Sequence, residues 1–162
     1  SRTRGKLLEK LLGCLKENLR ELHKSLRMRQ EGNSIIVDES EQEEFFFDSY
    51  AIFEILNGNV NYKRYEYSKI IITQLNLFEV YLKVLRDSSE KNADEVIAKY
   101  CIFSIDFDEE VIKEAAKLKI LLNKRDISMT DCIGYCLAKQ LDIKFLTGDN
   151  AFEKLDNVEF VK

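Results

Sequence analysis

Four carboxylates stand where the ends of secondary-structure elements would gather them. They are Asp48 in FFFDSYAI, Glu79 in ITQLNLFEVYLKVL, Asp131 in SMTDCIGYCLAKQ and Asp149 in KFLTGDNAF. Asp48 and Asp149 each follow a short apolar run that reads as a buried strand, whereas Glu79 and Asp131 fall on predicted helices. In an open parallel sheet, ligands bind just beyond the carboxyl ends of the strands, where the strand order reverses. Carboxylates gathered there, with no His or Cys among them, make a hard oxygen donor set. Such a set suits Mg2+ or Mn2+ and the hydrolysis of a phosphodiester.

Each acid also fits an ordinary local use. Asp48 has the place of a helix N-cap. Glu79 is one turn from Lys83 and at the edge of an apolar face. Asp131 completes a capping box with Ser128, and Asp149 in TGDN fits a turn. The four together, each at a strand end or at the right phase of a helix, weigh more than any one alone. Glu54, Glu114 and Glu153 read as solvated helix faces, and the lone His23 as a surface residue.

The elements that would position these acids follow from hydrophobic periodicity. Leu8, Leu12, Leu15, Leu19, Leu22 and Leu26 recur at spacings of three and four, which predicts one amphipathic helix over residues 6–29. Residues 30–43 break that period and read as an acidic linker. The globular body starts near Glu44, giving an organisation of 1–43 and 44–162. Strands are expected at 45–47, 69–72, 101–105, 144–147 and 158–161. Helices are expected at 49–56, 62–68, from Thr73 as N-cap to about 86, at 93–100, at 108–123 and from Ser128 to about 141. Strands alternating with helices imply an α/β fold with a parallel sheet covered on both faces.

The 162 residues suffice for one domain with a sizeable core, and 45% hydrophobic with 33% charged residues fits a globular protein. No apolar run is long enough to cross a bilayer, and no signal-peptide pattern opens the sequence. Cys14, Cys101, Cys132 and Cys136 form no CxxC pair, so they read as free thiols of a cytoplasmic protein. The net charge of −4 is unevenly spread: residues 1–29 carry nine Lys/Arg against three Glu, and residues 30–44 carry six acids and no base. An acidic body does not exclude a nucleic-acid substrate, because bound cations reverse the local potential.

Asp48-Ser49 after FFF, Glu79 in LNLFEVYLKVL, Asp131 in SMTDCIGYCLAKQ and the closing run KFLTGDNAFEKLDNVEFV resemble the PIN-domain ribonucleases. Within that family they look most like the VapC-type toxins and their archaeal relatives. The resemblance covers residues 44–162. It implies a three-layer α/β/α fold and an acidic cage for Mg2+ or Mn2+, with endonucleolytic cleavage of RNA. Asp48, Glu79, Asp131 and Asp149 match the family's four acids, and Ser49 and Thr147 match hydroxyl positions that support the cage. Lys63, Arg64, Lys124 and Arg125 are the candidate contacts to the RNA backbone. The expected partners are an RNA substrate, a second copy of the chain, and an antitoxin or a fused antitoxin-like N-terminal segment, with no membrane. Two other readings compete: a catalytically silent PIN-like module that binds partners, and a phosphoacceptor receiver domain. The second lacks an Asp at the third expected strand, where CIFS stands.

Overall fold

The computed structural model describes residues 42–122 and 127–162. The expected N-terminal helix, nearly all of the linker, Cys14, His23, Lys124 and Arg125 lie outside those residues. Four strands, β1 (Glu44–Phe47), β2 (Lys69–Ile71), β3 (Lys144–Thr147) and β4 (Val158–Phe160), form one sheet in the order β2-β1-β3-β4. Every pairing is parallel. Among the described residues five α-helices cover the sheet: α1 (Ser49–Leu56), α2 (Gln74–Asp87), α3 (Glu90–Tyr100), α4 (Glu109–Leu122) and α5 (Met129–Gln140). A 3-10 helix, Val60–Tyr67, links α1 to β2.

Period-two alternation in the strands divides the core in two. Phe45, Phe47 and Leu146 pack with Ile52, Tyr62, Tyr65, Leu77, Val80 and Tyr100 beneath α1, the 3-10 helix, α2 and α3. Phe46 and Phe145 turn the other way and pack with Val111, Ala115, Ile133, Tyr135 and Phe152 beneath α4 and α5. The three consecutive phenylalanines therefore serve both faces, as a strand buried on both sides requires. The result is the expected three-layer α/β/α arrangement. Where α5 crosses the sheet it must come close, and a Cβ on Gly134 would stand 2.5 Å from the Phe46 ring.

One expected strand is not formed. Residues 101–103 continue from α3 as a 3-10 turn, and only Ser104 makes an isolated parallel bridge, to Ile72. The Ile72 N–H donates to the Phe103 carbonyl at 3.1 Å, and the Ile105 N–H donates to the Ile72 carbonyl at 2.9 Å. A short apolar run has the same pattern in a strand as in a half-buried helical turn. Here the helix runs on, and two residues of extended chain remain for the sheet edge. The segment 62–68, expected as a short helix, winds as part of the 3-10 helix.

The connection from β1 leads to β2 on one side, while β3 and β4 lie on the other. The strand order thus reverses between β1 and β3, and a crevice opens at their carboxyl ends. Asp48 follows the last residue of β1, and Gly148-Asp149 follows β3.

Candidate functional site

Asp48 extends the sheet before it turns into α1. Its N–H donates to the Leu146 carbonyl at 3.0 Å, continuing the ladder between β1 and β3. It occupies the N-cap position of α1 but makes no side-chain cap hydrogen bond. Its Oδ2 instead accepts from the Thr147 hydroxyl at 2.6 Å. Thr147 is fully buried, and its Oγ1 in turn accepts from the Asp149 N–H at 3.0 Å. One hydroxyl thereby ties the ends of the two central strands together. The Asp149 Oδ1 accepts from the Ala151 N–H at 2.8 Å, the turn its sequence context suggested.

The helix-borne acids are held differently. Asp131 sits in the capping box that opens α5: its Oδ2 accepts from the Ser128 N–H at 3.1 Å, and its own N–H donates to the Ser128 Oγ at 3.0 Å. Glu79 does not pair with Lys83, which goes to Asp87 at 2.6 Å. Its Oε2 accepts from the Ser49 hydroxyl at 2.7 Å, a bond across 30 residues that locks α1 to α2.

These residues line one open cleft of about 410 Å3, with Asp48, Ser49, Glu79, Asp131 and Asp149 in its wall. Thr147 lies beneath it, holding Asp48. Tyr50, Phe53, Ser128, Gly148, Asn150 and Lys162 complete the lining. Gly148 is needed there: a Cβ would collide with the Tyr50 ring and stand 2.6 Å from the Val161 carbonyl oxygen.

The electrostatics of the cleft centre on Asp48, which is 3% exposed. Burial pushes its pKa well above the usual carboxylate range, and the neighbouring Asp131 pushes it further. The Thr147 hydroxyl opposes both effects, and the Tyr50 amide does so more weakly. Among the described residues no ion pair joins a cleft acid to a base. A divalent cation is the natural counter-ion for such a cluster, and the donors present, all oxygen, fit a hard one. Among the described residues no three of these acids close on a single point. Each acid is held by a protein donor of its own, and Asp48 and Asp131 lie close enough for one to raise the pKa of the other.

The candidate RNA contacts are placed elsewhere. Arg64 stacks on Tyr65, 4.6 Å from its ring centre, and pairs with Glu159 at 2.5 Å. Lys63 is exposed on the same 3-10 helix, and neither residue lines the cleft. Sequence reasoning missed Tyr50, Phe53, Asn150 and Lys162 as lining residues. It also missed Asn76, 1% exposed, whose amide donates to the Ser49 Oγ at 3.2 Å. The Thr-x-x-Asn spacing from Thr73 was the available signal for Asn76, since it has the form of a helix cap.

The model of the PIN domain family matches residues 45–158. The chain belongs to the PIN domain family. PIN domains are generally nucleases, so the acidic cleft lies in a nuclease-type domain. Solved structures share the fold. A toxin-antitoxin complex from Klebsiella pneumoniae aligns with a TM-score of 0.56 at 14% identity, over 70% of this chain and 94% of its own. VapBC2 from Rickettsia felis, bound to a DNA fragment from its promoter, gives 0.57 at 14% identity, over 74% and 99%. DNA-bound VapBC from Salmonella typhimurium gives 0.57 at 15% identity, over 74% and 97%. No curated protein matches the sequence closely enough to count as a relative. Among the described residues no helix of this PIN domain is long and apolar enough to cross a membrane.

Proposed function

We propose that this PIN domain is a Mg2+- or Mn2+-dependent endoribonuclease whose cleft acids Asp48, Glu79, Asp131 and Asp149 hold the cation that meets the attacked phosphodiester. The observation that carries the reading is Asp48, a buried carboxylate beside Asp131 whose one side-chain donor among the described residues is a hydroxyl. A purely structural acid at that position would cap α1 or pair with a base. When bound, the cation supplies neutralisation of the phosphodiester's charge and a water acidic enough to attack at neutral pH. Asp48, Asp131 and Asp149 would be its direct or water-mediated ligands. Glu79, held at one oxygen by Ser49, would be a ligand or would orient the attacking water. Thr147 fixes the Asp48 carboxylate and, through the Asp149 N–H, the turn after β3. Lys162, in the cleft wall, would meet an anionic backbone.

The same reading extends to the organisation of the chain and its partners. An N-terminal segment of amphipathic sequence with a basic head and an acidic linker, residues 1–43, would precede the nuclease domain, residues 44–162, in a cytoplasmic toxin with an antitoxin or a second copy as partner. Similarity in fold to toxin-antitoxin complexes supports this. So does the exposed row Phe78, Leu82 and Leu85 on α2, which are 65%, 47% and 41% exposed and repeat at helical spacing.

The deciding experiment incubates the purified full chain with a mixed RNA pool, with and without Mn2+, beside an Asp48→Asn control prepared identically. Mn2+-dependent internal cleavage by the wild type alone is the expected outcome. Equal cleavage by both preparations, or by neither, would count against the reading.

A further inference from the structure

Asn76 is an unusual residue to bury in the first turn of a helix. Its side-chain oxygen accepts twice from Thr73, from the N–H at 3.0 Å and from the hydroxyl at 2.8 Å. An aspartate would cap α2 equally well and would suit the helix N-terminus better. What an aspartate lacks is the amide's other end. With the oxygen claimed by two donors, the NH2 group must face the opposite way, where it meets the Ser49 Oγ at 3.2 Å. Reversing the amide would set donors against donors at Thr73. The consequence reaches the cleft. The serine hydroxyl has one proton, and Asn76 occupies it as an acceptor. That proton goes to the Glu79 Oε2 at 2.7 Å. Thr73 and Asn76 are at most 1% exposed and Ser49 is 5% exposed, so water does not offer them alternatives.

We propose that Asn76 is a positioning residue for the acidic cleft: by donating to Ser49 it obliges the serine to donate to Glu79, and so holds Glu79 in the orientation that meets a divalent cation. The inference rests on the metal-dependent reading above and adds to it a residue that touches neither cation nor substrate. It also explains why Ser49 follows Asp48. The serine is the joint through which the α2 cap is connected to the cleft.

The test is Mn2+ binding by the full chain, measured by calorimetry, for wild type, Asn76→Asp, Ser49→Ala and the double variant. Asn76→Asp keeps the oxygen that caps α2 and puts an acceptor where the donor to Ser49 stood, so the serine proton is drawn away from Glu79. A negative charge added near the cleft would by itself tighten Mn2+, so weaker binding is the signature of the broken relay. The expected loss is about tenfold, typical of groups that orient metal ligands. Ser49→Ala should show a similar loss, and in its background Asn76→Asp should cause no further loss. Asn76→Ala adds no charge and carries the same comparison if Asn76→Asp does not fold. Binding by Asn76→Asp at wild-type strength or tighter, or losses that simply add in the double variant, would overturn the relay alone. A wild type that binds no Mn2+ would overturn the nuclease reading and this proposal with it.

Discussion

Asp48→Asn should make the metal-free protein more stable while removing its response to metal. The carboxylate is 3% exposed, faces Asp131, and has the Thr147 hydroxyl at 2.6 Å as its side-chain donor. A buried, unpaired carboxylate carries a penalty of several kcal/mol, and its bond to Thr147 returns part of it. Asparagine keeps the shape and an acceptor for Thr147 without the charge. The net gain should be roughly 1–3 kcal/mol near neutral pH. For a domain of this size that is about 3–15 °C in thermal midpoint. The gain should depend on pH in a set direction. Because the folded-state pKa of Asp48 is raised above the ordinary 3.8, the folded protein keeps a proton that the unfolded chain releases. The penalty is absent below the unfolded value. It grows as pH rises above that value and is complete above the folded pKa. Wild type and variant should therefore converge in stability on acidification. Mn2+ at a hundred times its dissociation constant should stabilise the wild type by about 2.7 kcal/mol and the variant far less. The assay is thermal unfolding of both proteins in EDTA and in Mn2+ across the acidic to neutral range. A variant less stable than wild type in EDTA at neutral pH would refute the reasoning, because it would make Asp48 a structural support.

Three further outcomes follow from the same geometry. Thr147→Val removes the donor to Asp48 and the acceptor for the Asp149 N–H; it should cost about 1–3 kcal/mol in urea unfolding and weaken Mn2+ binding about tenfold. Ser128→Ala should cost about 1 kcal/mol as a lost helix cap. Its Mn2+ affinity should be unchanged, because the Asp131 carboxylate keeps the Ser128 N–H; a large loss in calorimetry would show that the hydroxyl does more than cap. Gly148→Ala should cost about 1–3 kcal/mol through overpacking against Tyr50 and the Val161 carbonyl, and should lower activity with it. Denaturant unfolding of that variant at wild-type stability would show that Tyr50 yields easily.

The strands and most helices were legible because their patterns are strong. Phe45 to Phe47 and Lys144 to Thr147 are short apolar runs bounded by polar turns, and Ser128 with Asp131 has a spacing that names a cap outright. The four acids were legible as a set from their places at element ends. Their partners were not. Periodicity and spacing do not say that Asp48 would leave its own helix for Thr147, 99 residues away, or that Glu79 would prefer Ser49 to Lys83; the two hydroxyls entered only as positions that the family resemblance implies. Those choices depend on which strands become neighbours. Cys101 to Ile105 misled because a five-residue apolar run is equally at home in a helical turn, and α3 supplied the turn. Asn76 was passed over because an asparagine near a helix start is ordinary; only its burial makes it informative.

The pairing of β1 with β3 has a consequence in time. The Asp48 side chain completes its bond only when Thr147 arrives, and the loop after Thr147 is closed from the Val161 N–H to the Thr147 carbonyl at 3.0 Å. β1 leaves the ribosome early in the domain, and β3 and β4 leave last. A nascent chain that already carries Asp48, Ser49 and Glu79 still lacks the strand that forms the other wall of the cleft. Closing so long a loop is also a late step in folding. The cleft of this PIN domain would thus be completed only once β3 and β4 have been made, and a product terminated before β3 would carry three of the acids without the cleft.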